Sequence, residues 1–397
     1  MDPIVRMLET VLDDVRGRDD GSVADYIPSL ASADPDRLAF AVVGPRGHVT
    51  SVGDDHVPFT IQSVSKPFVL ALALEQFGRD AVFARVGVEP SGEPFNAISL
   101  EAGTGRPANP MVNAGAIVTT SLLGEMGETS DAGDAVSRSE TIVAGLSRFA
   151  GRRLSVDEEV YRGESETGHR NRALAYLTRS HDIIRGDVPT VVETYFRQCS
   201  ILVTVRDLAV MGATLAFGGV NPVTGERVVR EDVARDVVSV MASCGMYDYS
   251  GEWLLRVGLP AKSGVSGALL AIAPSQFGVA TFSPRLDRHG NSVRGIQILE
   301  RMSTEFGMHV FEPHEAIAAP GIRIDHAEGR VIVHLGGELA FSGAERLIGV
   351  LSDLADGALT DEAILVDATE LARAHPAALE LLRRQLEALG GPRVLLD

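Results

Sequence analysis

Apolar residues recur at helical spacing at the head of the chain, at Ile4, Val5, Leu8, Val11, Leu12 and Val15, and predict a helix that Asp19-Asp20-Gly21 breaks. The runs 38–43 and 48–52 flank the turn signal Pro45-Arg46-Gly47 and predict a strand pair. The β-like run 58–61 leads through Gln62 into a helix opening near Ser63, with an apolar stretch from Phe68 to Phe77. The prolines of 87–100 predict loop, and Pro110 is placed to start a helix. Helical patterns follow at 117–124, 139–150, 172–179, 187–198, 205–217 and 230–244. The segment 157–167 is polar and acidic, with no period of its own. Strand patterns at 257–265, 268–273 and 277–282 precede a helix over 295–306. Strands at both ends with helices between them predict an α+β arrangement, one sheet covered by a helical region.

Residues 311–320 then look like a linker. Beyond it, strands at 323–325, 330–335, 363–367 and 393–396 alternate with helices at 343–356 and 376–389, a small separate α/β unit. The expected domains are therefore 1–310 and 321–397, as a chain of 397 residues exceeds one ordinary core.

Composition narrows the partners. Hydrophobic content of 45% and charged content of 23% belong to a folded soluble chain. A net charge of −18 argues against nucleic acid and anionic membrane, both of which attract basic surfaces. Two separated cysteines, Cys199 and Cys244, suit a reduced compartment and offer no zinc spacing. The first residues lack a signal-peptide pattern, and no apolar run is long enough to span a bilayer. The expectation is a cytoplasmic protein without a metal site.

The candidate chemistry is Gln62-Ser63-Val64-Ser65-Lys66-Pro67. On a helix, residues three apart share a face, with Cβ atoms about 5–6 Å apart. A hydroxyl and an amine so placed can serve as nucleophile and base, and burial at a helix start favours the neutral amine. Pro67 suits a first turn, whose amides lack helical partners and can face developing negative charge. Taken alone, the pair is as readily a helix cap and a solvated lysine. Its weight rises because Lys66 and Lys262 are the only lysines, and Lys262-Ser263-Gly264 falls on a strand pattern. Ser-x-x-Lys at a helix start with Lys-Ser/Thr-Gly on a facing strand is the arrangement of penicillin-recognising serine enzymes.

A closer resemblance rests on further blocks: Tyr26-Ile27-Pro28, Asn109-Pro110-Met111-Val112-Asn113-Ala114-Gly115, Glu164 with Arg170-Asn171, Tyr195-Phe196 with Cys199-Ser200, Cys244-Gly245-Met246-Tyr247-Asp248, and Gly258 to Gly267. With these the chain resembles the serine-dependent glutaminases of β-lactamase-like, penicillin-binding-like fold, over roughly residues 20–305. The resemblance implies that Ser63 is the nucleophile, Lys66 its general base and Tyr247 the proton relay to leaving ammonia. It implies an oxyanion hole from the Ser63 and Val265 amides. It implies a pocket for L-glutamine lined by Tyr26, Gln62, Asn113, Glu164, Asn171, Tyr195 and Tyr247, with no cofactor. A pocket for a free amino acid needs one anion and several neutral donors, and Glu164 with the asparagines and tyrosines supplies that set. The family also implies a homodimer or homotetramer.

The C-terminal unit resembles, more loosely, a STAS domain. Val331-Ile332-Val333-His334-Leu335-Gly336-Gly337-Glu338-Leu339 and Ile364-Leu365-Val366-Asp367 carry that likeness. The phosphorylatable loop expected after the second strand is replaced by the segment from Glu370 to Ala377, which leaves a regulatory protein as the expected partner of this tail. Two other functions stay open on sequence: another Ser/Lys amidohydrolase of the β-lactamase type, and a non-catalytic regulator acting through the STAS-like unit.

Overall fold

The structure, a computed structural model, describes residues 3–311 apart from 26, 96, 124–134 and 307, and residues 321–396 apart from 328, 329, 340, 357–362, 375–378, 380, 381, 384 and 388–393. It divides into two compact units, Met1–Phe311 and Glu312–Asp397. Tyr26, and the expected linker beyond Phe311, lie outside the described residues.

The strands of the first unit are β1 Ala39–Val43, β2 Val49–Gly53, β3 Phe59–Thr60, β4 Ser155–Val156, β5 Ile201–Val203, β6 Ala261–Ser263, β7 Ala268–Ala273 and β8 Phe277–Phe282. Five of them form an antiparallel sheet in the order β2-β1-β8-β7-β6, while β3, β5 and β4 form a small separate sheet. Strand alternation divides the apolar residues between two cores. In β7, Ala268, Leu270 and Ile272 join the core shared with the helical region. Leu269, Ala271 and Ala273 join a second core, filled by Leu8, Leu12, Ile298 and Leu299 from helices Pro3–Arg16 and Val293–Phe306. Helices thus cover both faces, which explains why β7 is an unbroken apolar run with every residue buried.

Most helices fall where periodicity puts them: Asn113–Leu123, Ala135–Ala150, His169–Ser180, Val188–Cys199, Val205–Ala216 and Glu231–Cys244. Several local features differ from the sequence reading. The acidic segment after Asp157 is the helix Glu158–Thr167; the Asp157 carboxylate accepts from the N–H groups of Glu159 and Val160, and Glu158 and Glu159 sit in the favourable first turn. The α-helix expected near Ser63 begins at Lys66 and runs to Phe83, after a 3₁₀ turn over Gln62–Ser65. The strand expected over 257–265 is only Ala261–Ser263. Residues 245–256, without an assignment from sequence, form a 3₁₀ turn Tyr247–Tyr249 and a helix Ser250–Arg256. Among the described residues no helix is long and apolar enough to cross a membrane.

The second unit has strands β9 Gly321–Ala327, β10 Arg330–Leu339, β11 Ala363–Ala374 and β12 Val394–Leu396, in the order β12-β11-β10-β9, with a helix Phe341–Asp356. The pairs β10–β11 and β11–β12 are parallel and β9–β10 is antiparallel. Strand β11 continues well past Asp367, where the sequence reading ends it. In the expected last helix, residues 379, 382, 383 and 385–387 are helical and the rest lie outside the described residues. Val331, Val333, Leu335, Leu347, Leu351 and Val366 make a core of this unit's own. Removing a buried leucine to alanine costs about 2–5 kcal/mol in such a setting. Leu351→Ala should therefore unfold the small unit at lower temperature while leaving the transition of the first unit in place, as calorimetry of the full chain would resolve.

Candidate active site

Chain entry from β3 into the helix Lys66–Phe83 sets the geometry. Gln62 adopts a left-handed φ of 48°, and the 3₁₀ turn closes with the Lys66 N–H donating to the Ser63 carbonyl. In a 3₁₀ turn residues i and i+3 eclipse, so Ser63 and Lys66 lie above one another. The turn is pinned from behind: Ser65 Oγ donates to the Gln62 carbonyl (2.8 Å), Gln198 Nε2 donates to Ser65 Oγ (2.9 Å), and Thr120 Oγ1 donates to Gln198 Oε1 (2.8 Å).

Lys66 is fully buried. Its Nζ donates to Asn113 Oδ1 at 2.6 Å and to the Tyr247 hydroxyl at 3.3 Å. Burial lowers its pKa to about 7, against the opposing pull of Cys199 and Glu164. Tyr247 begins the second 3₁₀ turn, also at a left-handed φ, 58°. Burial holds its phenol well above the usual range, and a hydrogen bond from Ser63 draws it back down. Ser63, Lys66 and Tyr247 are thus brought to one place, with the Lys66 amine on the Tyr247 hydroxyl.

Around them lie the residues suited to hold a polar ligand. Asn113 Nδ2 donates to Asn171 Oδ1 at 2.9 Å, and the Tyr195 hydroxyl lies 3.4 Å from Asn113 Oδ1. Glu164 is 7% exposed rather than solvated. Burial raises its pKa to about 7, opposed by a hydrogen bond from Gln62 and by the Lys66 charge. Asn113 starts its helix behind an Asn109 cap, whose Oδ1 accepts from the Met111 and Val112 amides. An open groove of about 770 Å³ lies elsewhere, beside Leu215, Arg235 and Pro260. Perturbed titratable groups, not cavity size, therefore mark the site.

Strand β6 forms the facing wall. A Cβ on Gly264 would meet the Ile61 carbonyl at 3.2 Å and Val64 at 3.1 Å, so the residue before Val265 abuts the Ser63 turn. Among the described residues the Val265 N–H has no backbone acceptor. A Cβ on Gly245 would meet the Ala261 carbonyl at 1.8 Å, which locks the Tyr247 turn to β6.

Of the residues singled out from sequence, the structure brings together Gln62, Ser63, Lys66, Asn113, Glu164, Asn171, Tyr195 and Tyr247, with Val265 on the facing wall. Tyr26 is outside the described residues. Lys262, not assigned a role from sequence, belongs here as well. It is fully buried, its Nζ donates to the Ser263 carbonyl at 2.8 Å and lies 3.9 Å from the Tyr247 ring centre. Burial, reinforced by the charge of Lys66, pushes its pKa well down. Its conjunction with Lys66 as the only lysines was the available signal.

Comparison with known proteins identifies the family of the chain. A family model for glutaminase matches residues 21–311. A glutaminase of Corynebacterium efficiens is 44% identical over 388 residues, covering 98% of this chain and 90% of that protein. Glutaminase 1 of Bradyrhizobium diazoefficiens is 51% identical over 308 residues, covering 78% of this chain and 49% of that protein, so the chain spans about half of that relative's length. The crystal structure of Mglu in its native form superposes with a TM-score of 0.90 at 41% identity, covering 100% of this chain and 99% of that one. A probable glutaminase from Bacillus subtilis complexed with 6-diazo-5-oxo-L-norleucine gives a TM-score of 0.70 at 34% identity, covering 78% of this chain and 98% of that one.

The buried amine has a thermodynamic signature. A lysine whose folded pKa is depressed weakens the fold most below that pKa, and the penalty fades as pH rises toward the unfolded value. For Lys66 that window runs from about 7 to the ordinary lysine value of 10.5. Lys66→Met should therefore gain more melting temperature over the parent at pH 6 than at pH 9. An equal difference at both values would show that Lys66 is not held near neutrality.

Proposed function

The chain belongs to the glutaminase family, and we propose that it hydrolyses the side-chain amide of L-glutamine to L-glutamate and ammonia through a Ser63 ester. The observation that carries the mechanism is the buried Lys66 amine, bonded to the Tyr247 hydroxyl and to Asn113, at the close of the turn that bears Ser63. Neutral Lys66 accepts the Ser63 hydroxyl proton as Oγ attacks the side-chain carbonyl carbon. The oxyanion so formed is met by the Ser63 and Val265 N–H groups, each such donor being worth roughly 10²–10³ in rate. The carbon–nitrogen bond then breaks as Tyr247 passes its proton to the departing nitrogen and recovers one from the Lys66 ammonium. Water attacks the ester by the reverse relay, and glutamate leaves.

Binding follows from charge. Ionised Glu164 pairs with the substrate ammonium. Asn113, Asn171, Tyr195, Gln62 and Tyr26 serve the remaining polar groups. Both the base and the anion are required deprotonated, and both have pKa values of about 7. The rate at low substrate concentration should thus rise with pH through neutrality.

The second unit is proposed to be a STAS-like module that binds a regulatory protein, in a cytoplasmic homodimer or homotetramer. Its mixed sheet with parallel β10–β11 supports the likeness. The Asp367 carboxylate accepts from both the N–H (3.0 Å) and the hydroxyl (2.6 Å) of Thr369, which ties up the hydroxyl after the second strand.

Ser63→Ala should lower ammonia release from glutamine by roughly 10⁴-fold or more without changing the melting temperature appreciably. Substantial residual turnover would remove Ser63 from its role. Ammonia release from glutamine but not from asparagine or a simple amide would fix the substrate, and nitrocefin cleavage instead would favour the β-lactamase type. In Glu164→Gln the Michaelis constant should rise by about tenfold or more, with the rising pH limb of kcat kept by Lys66.

A further inference from the structure

Three consecutive helices each hand one polar side chain to the site: Glu164 from Glu158–Thr167, Asn171 from His169–Ser180 and Tyr195 from Val188–Cys199. Their neighbours on the same helices meet at a single carboxylate. Glu193 accepts from the Tyr161 hydroxyl at 2.9 Å, from Ser165 Oγ at 2.9 and 3.1 Å, and from Arg172 Nη2 at 2.7 Å. Arg172 closes the cluster: Nη1 donates to the Ser165 carbonyl at 2.6 Å and Nη2 to Ser165 Oγ at 3.1 Å, while the guanidinium lies 5.1 Å from the Phe196 ring centre.

Helical geometry makes this arrangement a clasp. Residues two apart on a helix point to nearly opposite sides, so Glu193 faces away from the site that Tyr195 enters. Ser165 and Arg172 each follow a pocket residue, Glu164 and Asn171, by one position. The carboxylate therefore ties together, from behind, the three segments whose spacing sets the distances among Glu164, Asn171 and Tyr195. Hydrogen bonds need donor–acceptor distances of about 2.7–3.2 Å, and a misplacement near 1 Å can cost about 10²-fold in an enzyme. Ser63, Lys66 and Tyr247 stand on other elements, the two 3₁₀ turns and the start of the helix Lys66–Phe83.

We propose that Glu193, through its ion pair with Arg172, is a positioning residue for recognition of the amino-acid end of the substrate. The proposal rests on the glutaminase reading and adds a residue that touches no substrate. It separates recognition from bond breaking: loss of the clasp should weaken binding while leaving the relay at Ser63 in order.

The test is steady-state kinetics on the full chain with Glu193→Ala, Glu193→Gln and Arg172→Lys, alongside inhibition by the product L-glutamate and thermal melting. Glu193→Ala should raise the Michaelis constant for glutamine and the inhibition constant of glutamate together, by about 10- to 100-fold. Its kcat should stay within about threefold of the parent. Glu193→Gln, which can still accept from Tyr161 and Ser165, should fall between. If Glu193→Ala does not fold, Glu193→Gln and Arg172→Lys carry the same comparison. Folded variants with both constants unchanged, even with a lower melting temperature, would reduce the cluster to a structural one and overturn the proposal. So would a loss of kcat at unchanged constants. An inactive parent protein would instead overturn the glutaminase reading itself.

Discussion

A primary amine with no exposed surface must find neutral acceptors or give up its proton, and Lys66 does both. Much of the first unit can be read as the means of meeting that demand. The helix Asn113–Leu123 brings an amide oxygen to 2.6 Å, the turn Tyr247–Tyr249 brings a phenol, and Glu164 supplies a distant negative charge that limits the fall in basicity. Each of these groups is itself buried, and each would be costly there without the others. Asn113 shows the economy of the arrangement: its oxygen receives Lys66 and lies near the Tyr195 hydroxyl, while its nitrogen donates to Asn171. One side chain thus links Lys66 to Asn171 and Tyr195.

Backbone strain appears at the same place. Non-glycine residues rarely take a left-handed φ, yet Gln62 and Tyr247, one at the head of each 3₁₀ turn, both do. Such conformations persist only where surrounding packing enforces them. Here the enforcement is the wall of β6, reached at Gly264 on one side and Gly245 on the other. The two turns are thereby held against a common rigid edge, so the serine and the tyrosine keep their separation without depending on each other.

Sequence reasoning reached the helical and sheet halves of the first unit because long periodic segments such as 205–216 and the doubly buried β7 carry strong signals. It also brought Ser63 and Lys66 together, since i, i+3 spacing places them on one face in an α- or a 3₁₀-turn alike. It missed what depends on partners distant in sequence. The helix holding Glu164 has a polar, capped sequence without apolar period, and its stability comes from Asp157 and from packing. Strands β4 and β5 are too short to show alternation, and exist because they pair with each other and with β3. The burial of Lys262 against the Tyr247 ring follows from sheet register, as Lys262 pairs with Leu270 and so shares its face toward the helical region. The role of Glu193 was invisible for the same reason, as its three partners come from two other helices.

The placement of the lysines has an outcome outside the site. The chain contains two, and both are wholly shielded from solvent, while its outer cations are arginines. In the native state the surface thus offers reagents no side-chain primary amine. Acylating labels, amine-to-amine cross-linkers and lysine-specific proteases have no target on it other than a terminal amino group. Any lysine adduct recovered from this protein is a record of chains that had opened, which makes amine chemistry a direct counter of its unfolding events.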